Sequence, residues 1–137
     1  MSCKRLGDDI GMIRHTILAV DDDSHVLELL RVNCDSHGFE VFTARDGVEA
    51  MRAVETRLPD LIILDVMMPE MDGWEVCKRV RDKYGDSVKI VMLTAKDTAR
   101  DKIIGKSILK ADEYLTKPFD IDDLLSTITR LLSRDES

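Results

Sequence analysis

Asp65 closes the apolar run Leu61-Ile62-Ile63-Leu64 and is followed by Val66-Met67-Met68-Pro69. A buried parallel strand reads as a short, nearly continuous apolar run, and an ionised Asp is seldom fully buried without a partner. Taken alone, this carboxylate reads most simply as one that has reached the exposed end of its strand and caps the turn before Pro69. Three other strand candidates also stop at polar side chains. Thr16 to Val20 meets Asp21-Asp22-Asp23, Lys89 to Leu93 meets Thr94, and Glu113 to Thr116 meets Lys117. If one edge gathers these ends, its carboxylates repel and require either raised pKa values or a cation. Oxygen ligands without His or Cys select a hard cation. Mg2+, held by one or two carboxylates with waters and phosphate oxygens, fits that set. A Lys ammonium and a Thr hydroxyl aimed at the same place suit the equatorial oxygens of a phosphoryl group. Asp65, centred among the others, is then a candidate nucleophile on phosphorus, as aspartyl-phosphate chemistry requires.

The elements needed to gather those ends can be read from periodicity. After the strand Thr16 to Val20, helical spacing begins at Ser24 with Val26, Leu27, Leu30 and Cys34 on one side, and it ends at His37-Gly38. Phe39 to Ala44 reads as a second strand. Asp46-Gly47-Val48-Glu49 has capping-box spacing, and Val48, Ala50, Met51 and Val54 supply a helix face up to Leu58-Pro59. Leu61 to Val66 is the third strand. The next helix spans about Trp74 to Lys83, with Val76, Cys77 and Val80 inward, and Gly85 stops it. Lys89 to Thr94 is the fourth strand. Ala99 to Leu109 is a weaker helix because Gly105 lies inside it. Glu113 to Thr116 is the fifth strand. Ile121, Leu124, Leu125, Ile128 and Leu132 form the face of a last helix behind an Asp120 cap. Five strands alternating with five helices predict an α/β, doubly wound, mostly parallel five-stranded sheet. In such sheets ligands bind beyond the carboxyl ends of the strands, where Asp21, Asp22, Asp65, Thr94 and Lys117 fall.

The 137 residues suit one domain with one substantial core. Formal charge is -7, from 27 acidic and 20 basic residues, which argues against a general nucleic-acid or anionic-membrane surface. Asp120, Asp122 and Asp123 read as charge at a helix N-terminus. Cys3, Cys34 and Cys77 are odd in number and lack C-x-x-C spacing, so neither a disulfide framework nor a zinc site is indicated, and a reducing cytoplasm fits. Residues 1–14 read as a loosely ordered tail without a signal-peptide core, and no apolar run approaches membrane-spanning length. His15, His25 and His37 build no shared face, so surface or capping roles are expected. Trp74, the one Trp, is expected to pack partly beside the third helix.

Four motifs, V-D-D-D at 20–23, L-D-V-M-M-P-E-M-D-G at 64–73, L-T-A at 93–95 and Y-L-T-K-P-F at 114–119, occur in order. Through them the chain resembles the CheY-like receiver domain of two-component response regulators. The resemblance covers residues 15–134, between tails at 1–14 and 135–137. It implies a flavodoxin-like (βα)5 fold with strand order 2-1-3-4-5, the first and fifth helices on one face and the middle three on the other. It further implies that Asp65 is the phosphoacceptor, that Asp22 is a direct Mg2+ ligand and that Asp21 acts mainly through a water. The Met67 backbone carbonyl would complete the protein's share of the shell. Because three aspartates are consecutive, Asp22 and Asp23 could instead form the acidic pair, with Asp23 otherwise an N-cap; the place after Val20 favours Asp21 and Asp22. Lys117 would hold the acceptor carboxylate and then the phosphoryl oxygen, ahead of a cis bond to Pro118. Thr94 and Tyr114 would form the switch pair, Thr94 turning to the phosphoryl group and Tyr114 taking an inward rotamer. The readout would be the surface around the fourth helix, fifth strand and fifth helix.

Implied partners are a sensor histidine kinase or phosphotransfer protein and a downstream effector. Some positions depart from the family's pattern. Lys110 stands where many receivers have Gly, on the switch face. Thr127 stands where DNA-binding members commonly carry an Arg used in dimerisation. With no effector domain after Ser137, the reading is a monomer or weak phosphorylation-dependent dimer, without direct DNA or membrane binding. Met67 and Lys96 occupy positions that tune phosphoryl lifetime, and neither is acidic or an amide, so a comparatively long-lived acyl phosphate is expected. Two other classes compete. A Mg2+-dependent phosphohydrolase with Asp21 or Asp65 as nucleophile lacks a cap domain or long insertion here. A flavodoxin-like flavin carrier needs a phosphate-donating loop after the first strand, where this chain has three carboxylates.

Overall fold

The computed structural model describes residues 14–68, 71–94 and 111–133. In chain order the described elements are β1 (Thr16–Val20), α1 (Ser24–Ser36), β2 (Glu40–Ala44), α2 (Gly47–Thr56), β3 (Leu61–Asp65), α3 (Gly73–Tyr84), a 3-10 turn (Gly85–Ser87), β4 (Lys89–Thr94), β5 (Glu113–Thr116) and a C-terminal helix (Ile121–Ser133). The strands form one parallel sheet in the order β2-β1-β3-β4-β5, the predicted order. The helix expected over 99–109 lies outside the described residues, as do Lys96 and Lys110. Among the described residues no helix is long and apolar enough to cross a membrane.

The strands β1 and β3 are buried along their whole length because both faces of the sheet are covered. On one face Leu27, Leu30 and Cys34 of α1 meet Leu124, Leu125, Ile128, Leu131 and Leu132 of the C-terminal helix over Ile17, Ala19, Leu61 and Ile63. On the other, Ala50 and Val54 of α2 and Val76, Cys77 and Val80 of α3 lie over Leu18, Val20, Ile62 and Leu64. Alternate residues of each strand therefore feed two separate cores, as the pleat requires.

Helix ends follow the local signals. Asp23, Asp46 and Asp72 accept hydrogen bonds from backbone N–H groups of α1, α2 and α3 respectively. Glu49 reaches back from α2 to accept from the Arg45 N–H at 2.8 Å, which completes the expected reciprocal cap one residue further out. Gly38 and Gly85 take positive φ, +89° and +58°, after α1 and α3. One expectation fails: Val48 is 40% exposed rather than on the buried face of α2. It stands two residues from Ala50, roughly 200° around the helix, so the two cannot share a face.

The amino ends of the strands are tied by side chains that the hydrophobic pattern does not reveal. Asp60 accepts from the Thr16 N–H at 2.8 Å, while its own N–H donates to the Thr16 carbonyl at 2.9 Å. Asp112 accepts from the Ile90 N–H and from the Arg81 guanidinium, each at 2.7 Å. Arg14, assigned to the tail by sequence, donates to the carbonyls of Gly38 at 3.0 Å and Phe39 at 2.6 Å and so belongs to the folded body.

Candidate functional site

At the carboxyl ends of the strands, Asp21, Asp22 and Asp65 each offer a carboxylate oxygen, and these oxygens lie within 4.8 Å of one another. Asp21 and Asp65 are 0% and 4% exposed, whereas Asp22 is exposed. Parallel pairing places them: β1 and β3 are adjacent, with Val20 opposite Leu64, so the residue after each comes to the same edge. Asp23 has a different task. Its carboxylate caps α1 by accepting from the His25 N–H at 2.9 Å, and that bond holds it below the usual carboxylate range.

Lys117 reaches this edge from the end of β5. Its Nζ donates to Asp21 Oδ2 at 2.7 Å and lies 3.5 Å from Asp65 Oδ1. The expected partner was Asp65, yet the fully buried Asp21 holds the ammonium more closely. Burial pulls the ammonium's pKa down, but the hydrogen bond to Asp21 and the charges of Asp65 and Asp21 outweigh it and raise it overall. The Lys117 N–H also donates to the Thr94 carbonyl at 2.6 Å, and a cis peptide bond joins Lys117 to Pro118.

Burial pushes the Asp65 carboxyl up to about 6, with the neighbouring Asp21 charge adding to the rise and Lys117 opposing it. Its Oδ1 accepts from the Met67 N–H at 3.3 Å, so the chain after β3 folds back over the carboxylate, and the Met67 side chain is left 67% exposed. The other oxygen of Asp21 accepts from the Asp23 N–H at 2.9 Å. Among the described residues, an all-oxygen donor set with two buried carboxylates and one ammonium between them retains excess negative charge. It fits a hard divalent cation.

Gly73, for which the sequence predicts only a helix start, governs how closely α3 approaches Asp65. A Cβ there would overlap the Asp65 carbonyl oxygen and lie 2.9 Å from Val66 Cα, while the Gly73 N–H donates to the Val66 carbonyl at 3.0 Å. The available signal was its place in the M-D-G stretch after Asp65. Gly47 is comparably tight against Met71, its Cβ position falling 2.6 Å from the Met71 carbonyl oxygen, and this fixes α2 against the same loop.

Thr94 ends β4 with a buried hydroxyl that has no hydrogen-bond partner among the described residues. Tyr114 is 6% exposed and already lies inward, its ring 6.2 Å from that of Trp74. Trp74 is thus partly buried, as expected, from within the first turn of α3 rather than beside it. Thr127 is half-buried and its hydroxyl donates to the Asp123 carbonyl at 2.8 Å. Elsewhere a cleft of about 460 Å3 between β2 and α2, lined by Leu18, Phe42, Ala53 and Pro59 among others, includes none of the site residues.

The family model described as the response regulator receiver domain matches residues 17–129. The alkaline phosphatase synthesis transcriptional regulatory protein PhoP of Bacillus subtilis is 46% identical over 120 residues, 88% of this chain and 49% of that protein. The response regulator MprA of Mycobacterium leprae is 47% identical over 118 residues, 86% of this chain and 51% of that one. The chain therefore spans about half the length of these curated relatives. Among solved structures, the receiver domain of the Francisella response regulator 1452 superposes with a TM-score of 0.84 at 32% identity, covering 89% of this chain and 99% of that one. Because one relative is named as a transcriptional regulator, the expectation that this protein makes no direct DNA contact gains no support and is dropped.

Proposed function

Because the chain belongs to the response regulator receiver domain family, we propose that it is a signalling switch in which Asp65 accepts a phosphoryl group from a sensor histidine kinase or phosphotransfer protein. One observation carries this reading: a nearly buried carboxylate, within 4.8 Å of two others and 3.5 Å from an ammonium, at the carboxyl edge of a parallel sheet. An Asp65 oxygen attacks the phosphorus of a phosphohistidine. A P–O bond forms, the P–N bond breaks, and the electron pair leaves on the imidazole nitrogen. The Asp21, Asp22 and Asp65 carboxylates with the Met67 backbone carbonyl would hold Mg2+, which supplies positive charge to the carboxylates and to the transferring phosphoryl oxygens. Lys117, between Asp21 and Asp65, is placed to turn from a carboxylate to a phosphoryl oxygen. The chemistry is confined to the chain's own phosphorylation and dephosphorylation, and receiver domains are signalling domains.

The buried hydroxyl of Thr94 supports a part in sensing, since a new acceptor at Asp65 would offer it the hydrogen bond it lacks among the described residues. Tyr114 is its partner in the switch, and the surface read by the effector is that of the predicted helix 99–109, β5 and the C-terminal helix. The effector is either a separate protein or a further part of a longer chain, for which relatives matched over only about half their length leave room. The proposed receiver body is 15–134 with Arg14 bonded onto it, working in the cytoplasm as a monomer or weak phosphorylation-dependent dimer.

The test is incubation with Mg2+ and a small acyl-phosphate donor, followed by mass analysis. A hydroxylamine-labile phosphoryl adduct should form and should be absent from Asp65→Asn. Failure of the wild type to form it, or its mapping to another residue, refutes the proposal.

A further inference from the structure

Trp74 is the second residue of α3, directly after Gly73. On one side the start of this helix is fixed to the acceptor strand: the Gly73 N–H donates to the Val66 carbonyl at 3.0 Å, with no room for a Cβ against the Asp65 carbonyl. On the other side the Trp74 ring meets Tyr114 of β5, with centroids 6.2 Å apart and planes inclined at 51°. That separation lies within the range in which aromatic rings attract. Tyr114 shares the α2–α3 core with Val76, Met92 and Ala111. In the sheet Tyr114 stands opposite Met92, two places from the pair formed by Thr94 and Thr116. A path of direct contacts from Asp65 to Tyr114 thus runs through α3 and avoids Thr94.

We propose that Trp74 is a positioning residue that holds Tyr114 in its buried place and couples it to the Asp65 end of β3 independently of Thr94. The positioning half stands without phosphorylation; the coupling half rests on the phosphoacceptor reading. Asp65 Oδ1 accepts from the Met67 N–H, and a phosphoryl group on either oxygen removes the carboxylate charge and so weakens this bond. The chain that shifts includes Val66, whose carbonyl and Cα are in backbone contact with Gly73. Backbone contacts of this kind have no flexible side chain to absorb a displacement, so the first turn of α3 moves with them and carries Trp74. Contact alone does not establish coupling, which requires perturbing both ends.

The experiment uses the full chain labelled with 3-fluorotyrosine in a Tyr84→Phe background, which leaves Tyr114 as the single fluorine reporter. Without donor, Trp74→Leu should move the Tyr114 resonance toward the value of the unfolded chain, while Trp74→Phe, which keeps a ring, should leave it near wild type. With Mg2+ and acyl phosphate, the phosphorylation-induced shift should persist in Thr94→Ala, shrink in Trp74→Leu and be lost when both are replaced, with adduct formation at Asp65 followed by mass in every variant. An unchanged resting resonance in Trp74→Leu overturns the positioning. Loss of the induced shift in Thr94→Ala with Trp74 intact overturns the coupling. If the wild type forms no adduct, the phosphoacceptor reading fails, and the resting comparison still decides the role of Trp74.

Discussion

Replacing Asp65 by Asn should make the metal-free protein more stable at neutral pH. Asp65 is 4% exposed, and burial together with the Asp21 charge pushes its carboxyl from an ordinary 3.8 up to about 6. A folded-state pKa above the unfolded one means that the native protein binds this proton more tightly, so stability falls as pH rises from about 4 through 6. Above pH 7 the cost reaches its full value of about 3 kcal/mol, at roughly 1.4 kcal/mol per tenfold change in proton affinity, and at pH 5 it is about half of that. Asn has nearly the same shape and never ionises. In EDTA at pH 7.5, Asp65→Asn should therefore gain a few kcal/mol in urea unfolding, or about 10 °C in Tm for a chain of this size. The gain should shrink toward pH 5. Added Mg2+ should also narrow it by stabilising the wild type in preference to the variant. A variant no more stable than wild type at pH 7.5, or a gain that does not change between pH 5 and 7.5, would refute the argument.

Three further outcomes follow from the same geometry. Lys117→Met leaves the fully buried Asp21 without the ammonium 2.7 Å away; it should cost about 3 kcal/mol in EDTA, and Asp21→Asn in the same chain should recover most of the loss. A cost below about 1 kcal/mol by urea titration contradicts the pairing. Gly73→Ala should lower stability by about 2 kcal/mol or more, because its Cβ meets backbone atoms of Asp65 and Val66; a wild-type Tm would show that α3 can move away freely. Burial pushes the thiols of Cys34 and Cys77 up to about 12 and 11. In a Cys3→Ser background at pH 8, both should resist a disulfide reagent until denaturant is added, and rapid native-state labelling of either would contradict their burial.

Most of the architecture was legible because strand ends in this fold carry distinctive chemistry. Strand candidates stopping at Asp21, Asp65, Thr94 and Lys117 located both the sheet and the edge where Asp21, Asp65 and Lys117 gather, and the strand order followed from the family motifs. What stayed hidden depended on distances across the chain. Nothing in the spacing says that Lys117 lies closer to Asp21, at 2.7 Å, than to Asp65, at 3.5 Å. The closeness of Gly73 to Asp65, and the meeting of Trp74 with Tyr114, arise from how α3 settles against the sheet. Val48 is apolar yet 40% exposed because it lies roughly 200° around α2 from Ala50, an angle that residue type alone does not reveal.

The carboxylates of Asp60 and Asp112 bear on a difficulty peculiar to sheets buried on both sides. In β1, β3 and β4 nearly every residue is apolar, so a strand slipped by one place would exchange the sides on which its residues lie and still keep them out of water. Hydrophobicity therefore says little about alignment here. A side chain that accepts from one particular N–H does: Asp60 selects Thr16, and Asp112 selects Ile90. These two residues act as register pins. A slip of one residue is about 3.3 Å, comparable with the whole extent of the carboxylate group at the opposite end of the strands. Fidelity of alignment at the amino ends is thus a precondition for chemistry at the carboxyl ends, although neither Asp60 nor Asp112 belongs to the carboxylate cluster there.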